Sequence, residues 1–286
     1  MVRPDEGMAG GFRYLATGEH TRGAYFALEL EGPPGRAGVG HSHDFEDEAE
    51  YVATGAREIH VDDTLLRAPA GSFVLVPRGS LHDMWTVGSG PSRYLHLFSP
   101  AGIENWFFER ARLQASGATA DELSAARTRH GVRGERTSAP SVLPYAVLSR
   151  DAAEDPLVVR GGDTNGAYAI LGFTSVAGGP PVRPHVHRNE EEALYVADGE
   201  MTITLAGETH AAPAGTFVLV PRGTVHSYAH RGDGTARVLL IVSPPGFERH
   251  FEESPALRSA FLARPAPEAE SEVEAASERA GLRWAD

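Results

Sequence analysis

The chain has 286 residues, a length that suits about two domains and allows a sizeable buried core. Its 26 basic and 39 acidic residues give a net charge of −13, which disfavours binding to nucleic acid or to an anionic membrane surface. Without cysteine, disulfides and thiolate sites are excluded, and any metal must be held by His, Asp or Glu. The longest apolar run, at residues 238–242, is too short for a membrane span, and the N-terminus lacks the apolar stretch of a signal peptide, so we expect a cytoplasmic protein.

A two-residue alternation of apolar and polar side chains runs through most of the chain and predicts β-strands. Examples are AYFALEL (24–30), EYVATG (50–55), FVLVP (73–77) and YLHLFSP (94–100), which are separated by Gly, Pro and Asp. The 32 glycines and 20 prolines suit short strands and tight turns. We therefore expect an all-β protein.

The chain also contains a tandem duplication. The segment AGSFVLVPRGSLH (70–82) recurs as AGTFVLVPRGTVH (214–226), an offset of 144 residues. The same offset relates the segment at 99–109 to that at 243–253. Each copy is expected to form one barrel, with the first at residues 1–110 and the second at residues 145–254.

Helices are predicted after each barrel. The first barrel is followed by a helical linker at 111–144. Helices are predicted at 103–114, which begins within the barrel segment, and at 120–130, which is capped by Thr119 or Asp121. Residues 137–144 are expected to be an extended connection. The segment EAESEVEAASERAG is acidic and shows no apolar face, so residues 255–286 are expected to be a frayed helix and an acidic tail.

Four residues in each copy are spaced to bind a metal ion. In a strand, residues i and i+2 project to the same face, so His41 and His43 present two imidazoles side by side. A bulge or turn would bring Glu48 to that face, and His82 comes from a later strand after the turn VPRG. Such a cluster is costly in an apolar barrel without a cation. The second copy offers the same set, namely His185, His187, Glu192 and His226.

These spacings resemble the two motifs of the cupin superfamily. The first motif, Gly-x5-His-x-His-x4-Glu-x6-Gly, is met at residues 35–55 and again at 179–199. The second, Gly-x5-Pro-x-Gly-x2-His-x3-Asn, is met at 71–86 and 215–230, with Thr and His in place of the final Asn. The chain therefore resembles a bicupin, and in particular the quercetin 2,3-dioxygenase-like bicupins. The resemblance implies two tandem double-stranded β-helix, or jelly-roll, barrels and a metal-dependent enzyme.

The expected cofactor is a divalent transition metal, with up to two ions per chain. Nitrogen and oxygen ligands without sulfur suit Fe, Mn, Ni, Co, Cu or Zn, and the ligand types do not choose among them. Four protein ligands leave one or two positions on the ion free, which suits Lewis-acid chemistry on an enolate.

The two copies differ at positions that alternation places inside the barrels. Glu50 lies two residues beyond Glu48 where the second copy has Leu194, and His96 stands where the second copy has Leu240. These two residues predict an additional acid/base pair in the first barrel, and Glu50 a general base. A bulge that turns Glu50 to solvent, or a His96 that is simply hydrogen-bonded in the core, are the alternatives.

The second barrel has its own predicted polar pocket. On the strand after the last ligand, Tyr228 and His230 face inward where the first copy has Met84 and Thr86. Glu192 would be the carboxylate of that pocket.

Three functions are open from the sequence. An oxygenase would deprotonate the enol or phenol of a small molecule with Glu48 or Glu50 and let it react with dioxygen. An isomerase, cyclase or lyase would stabilise an enolate without oxygen, as similar cupins do in aromatic polyketide pathways. A binding protein would hold a small metabolite without turnover. The resemblance further implies a homodimer, unless the two barrels of one chain cover each other's sheet edges.

Overall fold

The computed structural model describes residues 1–9, 12–36, 40–135, 137, 146–148, 157–254 and 270–285. Most of them lie in antiparallel strands, which confirms the all-β expectation. The chain divides into two compact units. The first barrel is Gly7–Arg150, and the second barrel is Asp151–Asp286 together with Met1–Glu6. The extended connection expected at 137–144 lies outside the described residues, except for Thr137.

The strands of the first barrel are β1 (Met8–Ala9), β2 (Phe12–Ala16), β3 (Phe26–Gly32), β4 (Gly35–Arg36), β5 (Ser42–His43), β6 (Asp47–Thr54), β7 (Ala56–Val61), β8 (Thr64–Pro69), β9 (Phe73–Val76), β10 (His82–Val87), β11 (Ser92–Ser99), β12 (Val132–Arg133) and β13 (Ala146–Leu148). The large sheet has the order β1-β2-β3-β11-β6-β9-β13, and smaller sheets have the orders β10-β7-β8 and β12-β5. Apolar side chains of both larger sheets meet in one core, among them Val52 and Val74 of the large sheet and Ile59 and Ala68 of the smaller one.

Two helices, α1 (Glu104–Ala115) and α2 (Ala120–Arg129), pack against the same inward face of the large sheet, beside β3 and β11. Their bounds agree with the prediction within two residues. Thr119 is the cap of α2, because its side chain accepts a hydrogen bond from the Glu122 N–H while Glu122 bonds back to the Thr119 N–H. Trp106 and Ala126 pack against Phe26 and Phe98 of the sheet. The helices therefore form a wall beside the barrel.

The second barrel repeats this plan with β14 (Leu157–Val159), β15 (Ala169–Val176), β16 (His185–His187), β17 (Glu191–Asp198), β18 (Glu200–Leu205), β19 (Glu208–Pro213), β20 (Phe217–Val220), β21 (His226–Arg231), β22 (Thr235–Ser243), α3 (Phe247–Glu253), α4 (Glu270–Arg279) and β23 (Leu282–Trp284). Its sheets have the orders β14-β15-β22-β17-β20 and β19-β18-β21-β16-β23. In both barrels the turn after the glutamate strand requires glycine. Gly55 has φ +77°, and a Cβ there would lie 2.8 Å from the Pro91 carbonyl oxygen; Gly199 has φ +74°.

The helix expected in the C-terminal segment is present as α4, but it packs into the second barrel, so the expectation that this segment has no apolar face is wrong. Val273 and Ala276 of α4 and Leu282 of β23 are at most 3% exposed. Sequence comparison with the first barrel shows why: EVEAASERAGLR (272–283) matches ELSAARTRHGVR (122–133) at an offset of 150 residues. The duplication therefore includes α2 and β12, whose counterparts are α4 and β23.

The two barrels exchange short segments of chain. β13 (Ala146–Leu148) pairs with β9 of the first barrel, although sequence boundaries assign it to the second copy. Val2 forms a β-bridge with Phe217 of β20, so the N-terminus lies with the second barrel. Each exchanged segment covers an edge strand that would otherwise expose unpaired backbone groups. None of the helices in the described parts of the chain is long and apolar enough to cross a membrane.

Candidate metal centres and the cavity of the first barrel

The first barrel brings its four predicted ligands together. His41, His43, Glu48 and His82 each offer an atom within 4.8 Å of the others. The backbones of His41 and His82 form a β-bridge, and Glu48 approaches from β6 of the large sheet. Nε2 of His43 and Nε2 of His82 both lie 3.0 Å from Oε2 of Glu48. The cluster is therefore assembled from strands of three sheets, with His43 on β5, Glu48 on β6 and His82 on β10.

The second barrel assembles the equivalent cluster. His185, His187, Glu192 and His226 are buried and offer ligand atoms within 4.8 Å of one another. Oε2 of Glu192 lies 3.2 Å from His187 Nε2, and Oε1 lies 3.4 Å from His226 Nε2. Within the described ranges, these four atoms are buried and make no hydrogen bond. Buried polar atoms are rarely left in this state, so the donor set fits a cation that completes it.

Electrostatics in the metal-free clusters supports the same conclusion. Burial raises the pKa of Glu48, but the charge of His82 and hydrogen bonds from His43 and His82 hold it well below the usual range. Burial acts on Glu192 in the same direction, and the close imidazoles of His187 and His226 likewise lower its pKa. Each buried carboxylate thus stays ionised only with positive charge beside it. A divalent cation supplies that charge and leaves the imidazoles neutral, as ligation requires.

The two residues predicted as an acid/base pair, His96 and Glu50, are in contact. His96 Nε2 lies 2.8 Å from Glu50 Oε2, and His96 Nδ1 lies 3.0 Å from Glu48 Oε1. Burial lowers the pKa of His96, but hydrogen bonds with Glu48 and Glu50 outweigh it and raise the pKa to about 9. The imidazole therefore bridges a metal-ligand carboxylate and a second carboxylate.

Glu50 faces inward and is fully buried, so it is not turned to solvent. Its carboxylate accepts two hydrogen bonds from Arg57, at 2.9 Å from Nε and 3.0 Å from Nη2. Burial raises the pKa of Glu50, but the hydrogen bond from His96 and the charge of Arg57 lower it overall. Arg57 also stacks on Tyr94, with Cζ 3.8 Å from the ring centroid. Glu50 is thus an ion-paired group that lies behind His96.

The second barrel fills the corresponding positions with apolar side chains. Leu194 and Leu240 are cross-strand neighbours, and Met201 stands where the first barrel has Arg57. All three belong to the apolar core of that barrel. The hydrogen-bonded network is therefore specific to the first barrel.

Tyr228 and His230 do lie in the interior of the second barrel. Tyr228 is 3% exposed and stacks on Phe173. Burial, and to a smaller extent the charge of Glu192, raises the pKa of Tyr228 well above its usual value. Neither its hydroxyl nor the two ring nitrogens of His230 have a hydrogen-bond partner among the described residues. The ring of Tyr228 lies 6.1 Å from that of His185, so Tyr228 adjoins the metal cluster.

A cavity of about 620 Å³ opens onto the first metal cluster. Its floor includes His41, His43, Glu48 and His96, while Glu50 does not line it. The walls come from β3, β11, β12 and the two helices and are largely apolar. They include Leu28, Leu30, Phe98, Trp106, Phe107 and Val132. A small organic molecule in this cavity would lie against the metal ligands and His96.

Sequence reasoning missed three arginines and one tryptophan. Arg57, Arg110 and Arg127 line the cavity, and Trp284 packs against His185 with ring centroids 5.7 Å apart. A comparison of the two copies could have identified Arg57 and Trp284, because the second copy has Met201 in place of Arg57 and the first has Gly134 in place of Trp284. The arginines of the helices have no motif spacing that marks them.

Comparison with known proteins agrees with this architecture. Residues 29–98 and 172–242 each match the cupin domain family. The chain is 24% identical over 269 residues to quercetin 2,3-dioxygenase of Bacillus subtilis, which covers 83% of this chain and 78% of that protein. It is 29% identical over 130 residues to polyketide synthase CurC of Streptomyces cyaneus, which covers 41% of this chain and 84% of that protein.

Among solved structures, oxalate decarboxylase of Bacillus subtilis at pH 4.6 is similar at a TM-score of 0.55 and 16% identity, over 96% of this chain and 83% of that one. At this identity the likeness concerns the fold. Two matched domains, a duplicated sequence and two His/Glu clusters on equivalent strands lead to one conclusion: the chain is a bicupin, a member of the cupin superfamily with two cupin domains in tandem.

Proposed function

We propose that this bicupin is a metal-dependent oxygenase that acts on an enolisable or phenolic small molecule in its first barrel. The observation that carries the proposal is the cavity of about 620 Å³ whose floor is formed by the metal cluster and His96. The match to a quercetin 2,3-dioxygenase over most of the chain supports this class of substrate.

His41, His43, Glu48 and His82 would hold the metal, which when bound supplies Lewis acidity and a site for the substrate oxygen. With the charge of Glu48 offset by a bound cation, His96 would be neutral, and its Nδ1, which lies 3.0 Å from Glu48 Oε1, accepts the proton of the substrate hydroxyl. Glu50 then stabilises the charged imidazole from its other side, and Arg57 keeps Glu50 ionised and in place. The apolar walls exclude water from the deprotonated substrate.

The second barrel is proposed to hold a structural metal. Its cluster is fully buried, and Trp284 of β23 packs on His185 while donating a hydrogen bond to Ser277 of α4. Leu194 and Leu240 remove the acid/base pair. Glu192 is then a ligand without a proton-transfer partner, and Tyr228 and His230 line the interior without a reacting substrate.

Oxygen consumption tests the proposal. The protein is reconstituted in turn with Mn, Fe, Ni, Co, Cu and Zn and assayed with a flavonol such as quercetin and with simple catechols in an oxygen electrode. Uptake should depend on the metal, be lost in His43→Ala and persist in His187→Ala measured at a temperature where both variants are folded. Persistence of uptake in His43→Ala and its loss in His187→Ala would assign the reaction to the second barrel instead.

The second candidate is an isomerase or cyclase that stabilises an enolate without oxygen. The matches to polyketide synthase CurC and to tetracenomycin polyketide synthase protein TcmJ favour it. Product formation from an aromatic polyketide substrate under strict anaerobic conditions would establish this activity and contradict the oxygenase. Metabolite binding without turnover in either assay would indicate a binding protein.

A further inference from the structure

Two side chains of the first-barrel cavity have no part in the proposed reaction. These are Arg110 of α1 and Arg127 of α2, which both line the cavity on the wall formed by the helices. Neither belongs to the metal cluster or to the network of His96, Glu50 and Arg57. Deprotonation of an enol or phenol at the metal cluster does not require these two additional cationic side chains.

Arg110 is half-buried among aromatic rings. Its Cζ lies 5.1 Å from the ring centroid of Phe12, 5.8 Å from that of Trp106 and 5.5 Å from that of Phe107. Within the described part of the chain, no carboxylate lies within ion-pair distance of Arg110. Burial accordingly lowers its pKa, with only Tyr14 acting in the opposite direction. A guanidinium held at a cavity wall without an anion is costly unless a ligand supplies one.

Arg127 also has guanidinium N–H groups that do not bond to an acidic side chain among the described residues. One Nη2 hydrogen bond reaches the carbonyl of Arg133 at 3.0 Å, and among the residues described no acidic side chain pairs with it. The acidic residues of the cavity lining outside the metal cluster are Glu31, which is exposed, and Asp83 on β10. Arg57, by contrast, is neutralised by Glu50 at 2.9 Å. Two of the three cavity arginines are therefore available to an anion.

The second barrel shows that the scaffold does not require these arginines. At the offset that relates the two barrels, Ser254 follows α3 where the first barrel has Arg110. At the offset that relates α2 to α4, Ser277 replaces Arg127. Ser277 serves packing, since it accepts a hydrogen bond from Trp284 and donates one to the Val273 carbonyl. The second barrel thus lacks both arginines.

We infer that the substrate of the first barrel is an aromatic carboxylate, whose rings lie between the apolar walls and whose carboxylate binds Arg110 and Arg127. This inference rests on the proposed function, because it takes the enol or phenol of the same molecule to face the metal cluster. Guanidinium groups bind carboxylates through paired, charge-assisted hydrogen bonds, and the enclosure by Phe12, Trp106 and Phe107 strengthens such bonds.

The test is isothermal titration calorimetry with a pair of probes that differ only in charge, 6-hydroxy-2-naphthoate and 6-hydroxy-2-naphthamide. The metal-reconstituted protein should bind the carboxylate about tenfold more tightly than the amide, or better. Arg110→Gln and Arg127→Gln should each weaken carboxylate binding by about tenfold and leave amide binding within about twofold. Arg110→Lys, which keeps the charge, should recover part of the loss.

The matched control is Arg112→Gln. Arg112 lies on the same helix but is 71% exposed, pairs with Glu109 at 3.6 Å and does not line the cavity, so this variant should bind both probes like the wild type. Thermal melts confirm that each variant is folded. Equal affinity for the two probes, no binding of either at millimolar concentration, or an unchanged preference in both glutamine variants would overturn the inference.

A third probe separates this inference from the proposed function. 2-Naphthoate lacks the hydroxyl, so a metal-facing phenol predicts that 6-hydroxy-2-naphthoate gains affinity over it in the reconstituted protein and loses that gain after chelation. If the carboxylate binds more tightly than the amide but neither the hydroxyl nor the metal changes the affinity, the proposed function is refuted and the arginine site remains. If the affinity gained from the hydroxyl depends on the metal while the carboxylate and the amide bind equally tightly, the arginine site is refuted and the proposed function remains.

Discussion

His96 and Glu50 are direct cross-strand neighbours on β11 and β6, with 2.8 Å between Nε2 and Oε2. The equivalent neighbours in the second barrel, on β22 and β17, are Leu240 and Leu194. One backbone arrangement therefore accommodates either a charged pair or an apolar pair. The second barrel supplies the substitutions with which the first can be tested.

The first prediction concerns the stability of this pair. Glu50→Leu should destabilise the first barrel by about 3–5 kcal/mol, because it leaves the buried guanidinium of Arg57 without its carboxylate. Adding Arg57→Met should restore most of the loss, since it reproduces Leu194 and Met201 of the second barrel. Urea unfolding of the two single variants and the double variant measures this. A double variant no more stable than Glu50→Leu alone would contradict it.

The second prediction concerns turnover. His96→Leu and the double variant Glu50→Leu/Arg57→Met should each reduce turnover by about 100-fold or more, in the range for loss of a proton-transfer group. Metal content should not change, because neither substitution removes a ligand. Steady-state rates and metal analysis on the same samples check both statements. Full activity in the double variant would show that Glu50 does not support His96.

The third prediction concerns metal stoichiometry. Each chain should bind two divalent ions, and His43→Ala and His187→Ala should each reduce the content toward one. Because binding to the folded protein alone stabilises it, chelation should lower the melting temperature. Mass spectrometry of metals and thermal melts provide the readouts. A content below one ion per chain after reconstitution would refute the assignment.

The fourth prediction concerns pH. Ligation requires neutral imidazoles, so protons compete with the metal as the pH falls below about 6.5, the ordinary pKa of histidine. Three histidines in each cluster make the loss steep. Dialysis at about pH 7.5 should retain both ions, and dialysis at about pH 5 should release them. Complete retention at the lower pH would contradict histidine ligation.

The fifth prediction concerns Trp284. Trp284→Gly copies Gly134 of the first barrel and removes the ring that packs on His185 and the hydrogen bond to Ser277. Loss of the partly buried ring should lower the free energy of unfolding by about 2–3 kcal/mol, which is below the range for a fully buried core tryptophan. Metal should also leave the second cluster faster when a chelator is added, while Arg283→Gly on the exposed neighbour serves as the control. Unchanged release in Trp284→Gly would show that the ring does not cover the site.

The ligand sets and the all-β fold could be predicted from the sequence because both depend on local rules. Strand alternation places His41 beside His43 and Glu48 beside Glu50, and the duplication repeats the pattern. The inward position of Glu50 followed from the same alternation. Its ionisation state did not, since it depends on Arg57 across the β6–β7 hairpin.

The tertiary structure decided which side chains meet at the cavity of the first barrel. The helix α4 looked like an acidic tail because its apolar face consists of small residues such as Ala276, which carry little hydrophobic signal until a barrel packs against them. Arg110 and Arg127 approach the cavity from two helices, so nothing in their spacing connects them to the metal ligands. Alternation along a strand fixes which face a side chain takes, because it is a property of the local backbone. The walls of a cavity are made by elements distant in the chain, and their packing energy has no local signature.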